Sequence, residues 1–255
     1  MLDVKLQEAN LKLLKTKANL DLVENKKNEF QGLLKEIVDA PFESEVDNVK
    51  VLESEKRKQE HKYQEKMQKI KRFFGQRFMK CTFDNYECKS DNQKTMIKSL
   101  KEYSLSKKEN GESVFLYGKS GTGKSHILAA ICREMNENFI AEEFAIIAEK
   151  KRVAIMNGQN WHNEVDVYCK IQMLIIPDLI IRDDGMTESQ KELLAHIMEQ
   201  RYKNLLPVMI ATNMSPAEFG KKVDFDGVVR TSSRFTHMVG AKRHFMFSGE
   251  NYRVR

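Results

Sequence analysis

The chain reads as an α/β protein built on a parallel sheet flanked by helices, with an all-helical segment in front of it. Three observations carry this reading. Residues Gly118-Lys119-Ser120-Gly121-Thr122-Gly123-Lys124-Ser125 fit the phosphate-loop pattern G-x-x-x-x-G-K-[ST], between an apolar run and a helix start. From residue 113 to about 213, short apolar runs alternate with helical stretches, the order that closes a parallel sheet. Ahead of this, apolar residues step by four and three, as in one long amphipathic helix.

The N-terminal seam runs Leu2, Leu6, Ala9, Leu13, Thr16, Leu20, Val23, Lys27, Phe30, Leu34, Ile37, with Thr16 and Lys27 as its breaks. It predicts a helix that ends before Pro41, because the residue before a proline is driven out of the helical region. A turn follows at Pro41-Phe42-Glu43, and Ser44-x-x-Asp47 resembles a capping box that opens a second helix. Residues 1 to about 78 are thus expected to form a helical hairpin or coiled coil. Its seam is either packed within the chain or left for a partner. Between 62 and 80 the basic residues Lys62, Lys66, Lys69, Lys71, Arg72, Arg77 and Lys80 interleave with Phe73, Phe74 and Phe78. Such a stripe either binds phosphates and stacks bases or is a solvated helix face with its aromatics turned to the core.

Ser113–Tyr117 is a β-prone run and His126–Cys132 a helix start, so the loop between them has the context its chemistry needs. Gly121 and Gly123 let successive N–H groups face one concavity, and the following helix adds its positive end. Lys124 can reach β/γ-phosphates, and Ser125 can ligate Mg²⁺. Further on, Phe139–Lys151 reads as helix, Arg152–Met156 as strand, 163–175 as helix and Asp178–Asp183 as strand. Ser189–Lys203 then reads as helix and Val208–Asn213 as strand.

A phosphate loop needs a carboxylate to hold the metal and a group to aim water. Asp183 at the end of its apolar run reads as the metal-holding acid, and Asp184 as the acid that polarises the attacking water. Asn213, ending the next strand, can orient that water or touch the γ-phosphate. Arg230 and Arg234 are spaced i, i+4 on one helical face, where they can reach the phosphate of a neighbouring subunit. Arg243 is the candidate for a contact within its own subunit.

Composition sets limits. Over 255 residues, 41% are apolar and 31% charged, with net charge +6 and pI about 9.0. No apolar run approaches 18 residues, which predicts a soluble, cytoplasmic protein without a membrane partner. The cysteines Cys81, Cys88, Cys132 and Cys169 are widely spaced, with no C-x₂-C pair to hold zinc, and suit a reducing compartment.

The stretch Phe83-Asp84-Asn85-Tyr86 with Asn92-Gln93, the phosphate loop, Asp178–Asp184, Arg201-Tyr202, Leu206-Pro207, Ala211-Thr212-Asn213, and Arg230 with Arg234 occur in an order that resembles the AAA+ ATPases of the DnaC/DnaI type. These are loaders of bacterial and phage replicative helicases. The resemblance covers about Cys81 to Phe247. It implies an AAA+ domain over 81–255 that binds and hydrolyses ATP with Mg²⁺, with His126 following the loop and the 83–86 stretch near the adenine. It also implies self-association through that domain, Arg234 being the trans-acting residue. The remaining implications are a helicase-gripping domain over 1–80, with a hexameric helicase and single-stranded DNA as partners. Departures are Arg182 at a strand position that is usually apolar, and Gly185-Met186 where the family has the reverse order of apolar residue and glycine. Two other readings share these motifs: a transposition helper ATPase of the IstB type acting on duplex DNA, and a coiled-coil adaptor that binds ATP without significant turnover.

Overall fold

A computed structural model describes residues 45–179, 185–225, 230–249 and 252. The helix expected over Leu2–Ile37, and with it the hairpin, lies outside the described residues. The chain divides after Tyr63 into two units, the larger taking in residues 64–255. That unit includes 64–80, which the sequence reading grouped with the N-terminal segment.

Helix α1 spans Glu45–Phe74. A 3₁₀ turn follows at Gln76–Lys80, and α2 at Asp91–Leu105 is capped by the Ser90 side chain, which accepts from Gln93 N–H. The α/β core then runs β1 (Val114–Tyr117), α3 (Lys124–Glu134), β2 (Phe139–Ala141), α4 (Phe144–Met156), α5 (Trp161–Lys170), β3 (Met173–Ile176), α6 (Glu188–Lys203), β4 (Val208–Thr212), α7 (Pro216–Val223), α8 (Thr231–Val239) and β5 (His244–Met246).

The five strands pair in parallel, in the order β2-β3-β4-β1-β5. Alternate residues serve opposite faces. Val114, Leu116, Met173, Ile175, Met209 and Ala211 meet α2, α3 and the end of α1. Phe115, Leu174, Ile176, Val208 and Ile210 meet α4 to α8. A sheet covered on both sides has apolar strands without polar alternation, and β4 is buried along its whole length. Full burial of each large side chain is worth about 1.5–3 kcal/mol, so the central strands anchor the domain.

Three expectations are corrected. Phe139–Ala141 is a strand rather than the start of a helix. Arg152–Met156 is the last part of α4, not a strand, and its Val153 and Ile155 face solvent. The helix expected over 163–175 stops at Lys170, and the following strand is Met173–Ile176, ahead of the run chosen on sequence. Pro177, which cannot donate to a ladder, ends that strand.

The basic stripe also resolves within the larger unit. The Lys66 ammonium donates to Arg133 O at 3.2 Å and Met135 O at 2.7 Å, satisfying carbonyls at the end of α3. Lys69 donates to Asn138 Oδ1, and Phe73, Phe74 and Phe78 pack against the core. Among the described residues no helix is long and apolar enough to cross a membrane.

Candidate nucleotide-binding site

The site forms at the C-terminal ends of the parallel strands, where open α/β sheets leave a crevice. β1 delivers the chain to Gly118. A Cβ there would lie 2.0 Å from Phe247 O, so only glycine lets the loop leave beside the β5 exit. Gly123, at φ 95°, starts α3, and a Cβ on it would meet Tyr86 Cε2 at 2.6 Å. The loop is braced from within and from outside. Thr122 Oγ1 donates to Lys119 O at 2.8 Å, and Tyr86 Oη donates to Thr122 O at 3.1 Å.

Lys124 is the focus of the charge. Its ammonium is buried and donates to Gly118 O at 2.5 Å, Lys119 O at 2.9 Å and Asn213 Oδ1 at 3.0 Å. The phosphate-loop lysine and the strand-end amide, 89 residues apart, thus meet directly. Asn213 is fixed by its neighbours: Thr212 Oγ1 donates to Leu179 O at 2.9 Å and accepts from Met214 N–H at 3.3 Å. Ser215 then caps α7 through a reciprocal box with Glu218.

The same contacts bring an acid to the site. β3 pairs β4 with Ile176 opposite Ile210, and Leu179 N–H donates to Ala211 O at 2.8 Å. Asp178 is therefore held at the end of β3, beside the end of β4, and lines the same cavity as Lys124, Ser125 and Asn213. Asp183 and Asp184 lie outside the described residues. The acid that the structure places in the cavity is Asp178, which the sequence reading took as the opening of a strand. Its signal was present: four apolar residues ended by Pro177, with an acid next.

The cavity has a volume of about 380 Å³, within the range of small-molecule sites. Of the residues chosen on sequence, Ser120, Gly121, Gly123, Lys124, Ser125, His126 and Asn213 line it. Gly118, Lys119 and Thr122 shape the loop behind it. His126 Nε2 is 2.9 Å from Thr82 O, and its ring lies edge-on to Tyr86 at 5.5 Å. Asn85 and Tyr86, from the stretch that the resemblance puts near the base, are in its wall, as are Arg77 and Phe78 from the basic, aromatic stripe, and Tyr252, for which no sequence signal stood out. Burial pushes the Tyr86 phenol far above its ordinary value and the Cys81 thiol up as well, so neither ionises at neutral pH.

The arginines sit elsewhere. Arg243 is a correction. It donates to Ser113 O at 3.2 Å and pairs with Glu112 at 3.3 Å, at the entry to β1, the end of the sheet opposite the phosphate loop. It does not line the cavity of this subunit. Arg230 precedes α8 and is exposed, and Arg234 pairs with Glu199 of α6 at 3.5 Å. Neither lines the cavity of its own chain. The start of α8 is held by buried Asp224, which accepts from Thr231 N–H at 2.9 Å and Ser232 N–H at 3.0 Å.

The residues fit a magnesium nucleotide. Glycines admit the loop where a Cβ would not fit, a buried ammonium faces the cavity, and Ser125 with Asp178 supplies hard oxygen donors. Among the described residues no group of three or more His, Cys, Asp or Glu could hold a metal alone. Mg²⁺ takes few protein ligands and completes its shell with phosphate and water.

Fold and site together define a P-loop ATPase domain of the AAA+ kind. The family model of the bacterial DnaA ATPase domain matches residues 78–239, and the chain belongs to that family. It is 24% identical over 145 residues to the replicative helicase loader DnaC of Escherichia coli K12, an alignment covering 55% of this chain and 58% of that one. The chain thus spans little more than half the length of that relative. In fold it is similar to the crystal structure of the DnaC helicase loader (TM-score 0.57, 16% identity, 68% of this chain and 99% of that one). It is similar also to AMPPCP-bound DnaA from Aquifex aeolicus (TM-score 0.53, 20% identity, 68% of this chain and 52% of that one).

Proposed function

We propose that the chain is an ATPase that binds ATP with Mg²⁺ in this cavity and assists the loading of a hexameric replicative helicase onto single-stranded DNA. The observation that carries the nucleotide part is the meeting of Lys124, Asn213 and Asp178 over one phosphate loop. The helicase part is supported by the relatives named as loaders. Loop N–H groups and the α3 N-terminus hold the phosphates. Lys124 exchanges its carbonyl partners for phosphate oxygens and frees Asn213 to orient water. Ser125 and Asp178 would hold Mg²⁺, which would neutralise charge developing on the phosphoryl oxygens. Arg234, and Arg230 beside it, complete the site of a neighbouring subunit, so that hydrolysis depends on assembly. Residues 1–80 grip the helicase, and the protein works in the cytoplasm.

The test is calorimetry with ATP and Mg²⁺, followed by a loading assay with the helicase and single-stranded DNA. Lys124→Ala removes charge-assisted bonds worth about 1.5–3 kcal/mol each, so ATP affinity should fall at least about tenfold. Equal affinity in the two proteins refutes the nucleotide site. A helicase that loads no faster with the wild-type protein than without it refutes the loader role. A second reading, an ATP-binding adaptor with little turnover, is favoured by one observation. At the end of β3 the neighbour of Asp178 is Pro177, not a second acid.

A further inference from the structure

The cavity has a wall that phosphate chemistry does not require. Beyond β5, Phe247, Ser248 and Tyr252 are bonded back to β1, α2 and the phosphate loop. Phe247 N–H donates to Tyr117 O at 2.7 Å, Gln93 Nε2 donates to Ser248 O at 2.9 Å, and Tyr252 N–H donates to Gly121 O at 3.0 Å, inside the loop itself. The Tyr252 hydroxyl then donates to Glu87 O at 2.9 Å, so the side chain is held at both its backbone and its tip. Its ring lies 6.2 Å from that of Tyr86, inclined by 55°, with the Lys89 ammonium 5.4 Å from its centroid. Tyr86 in turn packs edge-on against His126 and Phe247.

The cavity lining therefore combines polar groups, with Lys124, Asp178 and Asn213, and aromatic ones, with Phe78, Tyr86 and Tyr252, beside Arg77 and Glu87. A ligand that satisfies both carries anionic oxygens at one end and a flat π-system at the other. Building on the nucleotide reading above, we propose that Tyr252 is a specificity-determining residue. With Tyr86 it forms the wall against which a purine base packs, so the C-terminal segment sets base affinity while the loop sets phosphate affinity. A tyrosine suits the task. It presents a large apolar face with only two side-chain torsions to fix, and the Glu87 and Lys89 contacts have already fixed them.

The experiment uses the full chain, with Kd read by competition against a fluorescent ATP analogue, for ATP and for inorganic tripolyphosphate. Tyr252→Ala keeps the N–H that binds Gly121 O and removes the ring with its hydroxyl. ATP affinity should drop about tenfold, in line with the cost of losing one base–aromatic stack, while tripolyphosphate affinity stays unchanged. Tyr252→Phe retains the ring and should stay within about threefold of wild type. The proposal is overturned if Tyr252→Ala leaves ATP affinity intact. It is also overturned if tripolyphosphate weakens as much as ATP, since Tyr252 would then only support the loop. If the wild type binds no ATP and Lys124→Ala behaves the same, the nucleotide reading fails and takes the wall with it.

Discussion

Arg201 is fully buried and pairs with no carboxylate among the described residues. Its Nη1 donates to Tyr168 O at 2.7 Å and Ile171 O at 2.9 Å, and its Nη2 donates to Gln172 O at 3.3 Å and Pro207 O at 2.6 Å. Gln172 and Pro207 immediately precede β3 and β4, so one guanidinium sets the register of the two strands whose far ends carry Asp178 and Asn213. Burial pushes its pKa down to about 9, which leaves it charged at neutral pH. Arg201→Met keeps the stem and deletes the donors. Hydrogen bonds from a charged donor are worth about 1.5–3 kcal/mol each, but the four are not additive, and removing the buried charge returns part of its desolvation cost. Pro207 O also retains a second donor, Leu174 N–H at 3.4 Å. The net loss should be about 2–4 kcal/mol. In a domain of this size that lowers Tm by about 5–15 °C, read by circular dichroism on heating. Arg201→Lys offers a single ammonium to four divergent carbonyls and should recover less than half of the loss. A drop below about 2 °C for Arg201→Met would show that the carbonyls find other partners and that the guanidinium does not set the register.

Other outcomes follow from the same structure. Asp178→Asn should abolish ATP hydrolysis and its Mg²⁺ dependence while ATP affinity stays within about fivefold. A silent Asp178→Asn beside an inactive Asp183→Asn would return the metal-holding role to the later acid. Burial, reinforced by the charge of His162, holds His196 below its ordinary pKa, against a weaker pull from Glu199 and Glu192. Burial does the same to His244. The unfolded chain then binds more protons on these groups just below their ordinary pKa of 6.5, so stability should fall as pH drops through that region and on through the folded-state values. A Tm measured from pH 7 to pH 5 should decline by a few degrees, with a shallower slope in His196→Gln. A flat profile would refute this.

What could be read from the chain, and what could not, divides along a physical line. The strand–loop–helix around Gly118–Ser125 was legible because glycines, a lysine and a serine at fixed spacing have a local job. β4 and α6 were legible because an apolar run after Pro207 and a helical period after Ser189 agree with their surroundings. The segment from Phe139 to Ile176 was legible only in part: helix was expected and found over 144–151 and 163–170, but the strands were misplaced. Val153 and Ile155 favour strands, yet they lie on the solvent side of α4, where neighbouring turns decide the backbone and β-propensity does not. The strand itself hides in Met173–Ile176, continuous with the apolar residues of α5 and marked only by Pro177 behind it. The structure brings Asp178 into the cavity, while Asp183, the acid chosen on sequence, lies outside the described residues.

The strand's position bears on the chemistry. With the strand ending at Ile176, Asp178 reaches the cavity because Leu179 is bonded to Ala211 and Thr212, the residues that also fix Asn213. The acid and the amide are therefore positioned by the same strand ends, and Lys124 already holds Asn213. Tyr252 adds a further tie to the same loop, through Gly121. A site assembled this way positions its groups through the ends of β3 and β4 and the C-terminal segment, none of which is near the phosphate loop in sequence. This is why the eight-residue motif was sufficient to find the loop and insufficient to find its partners.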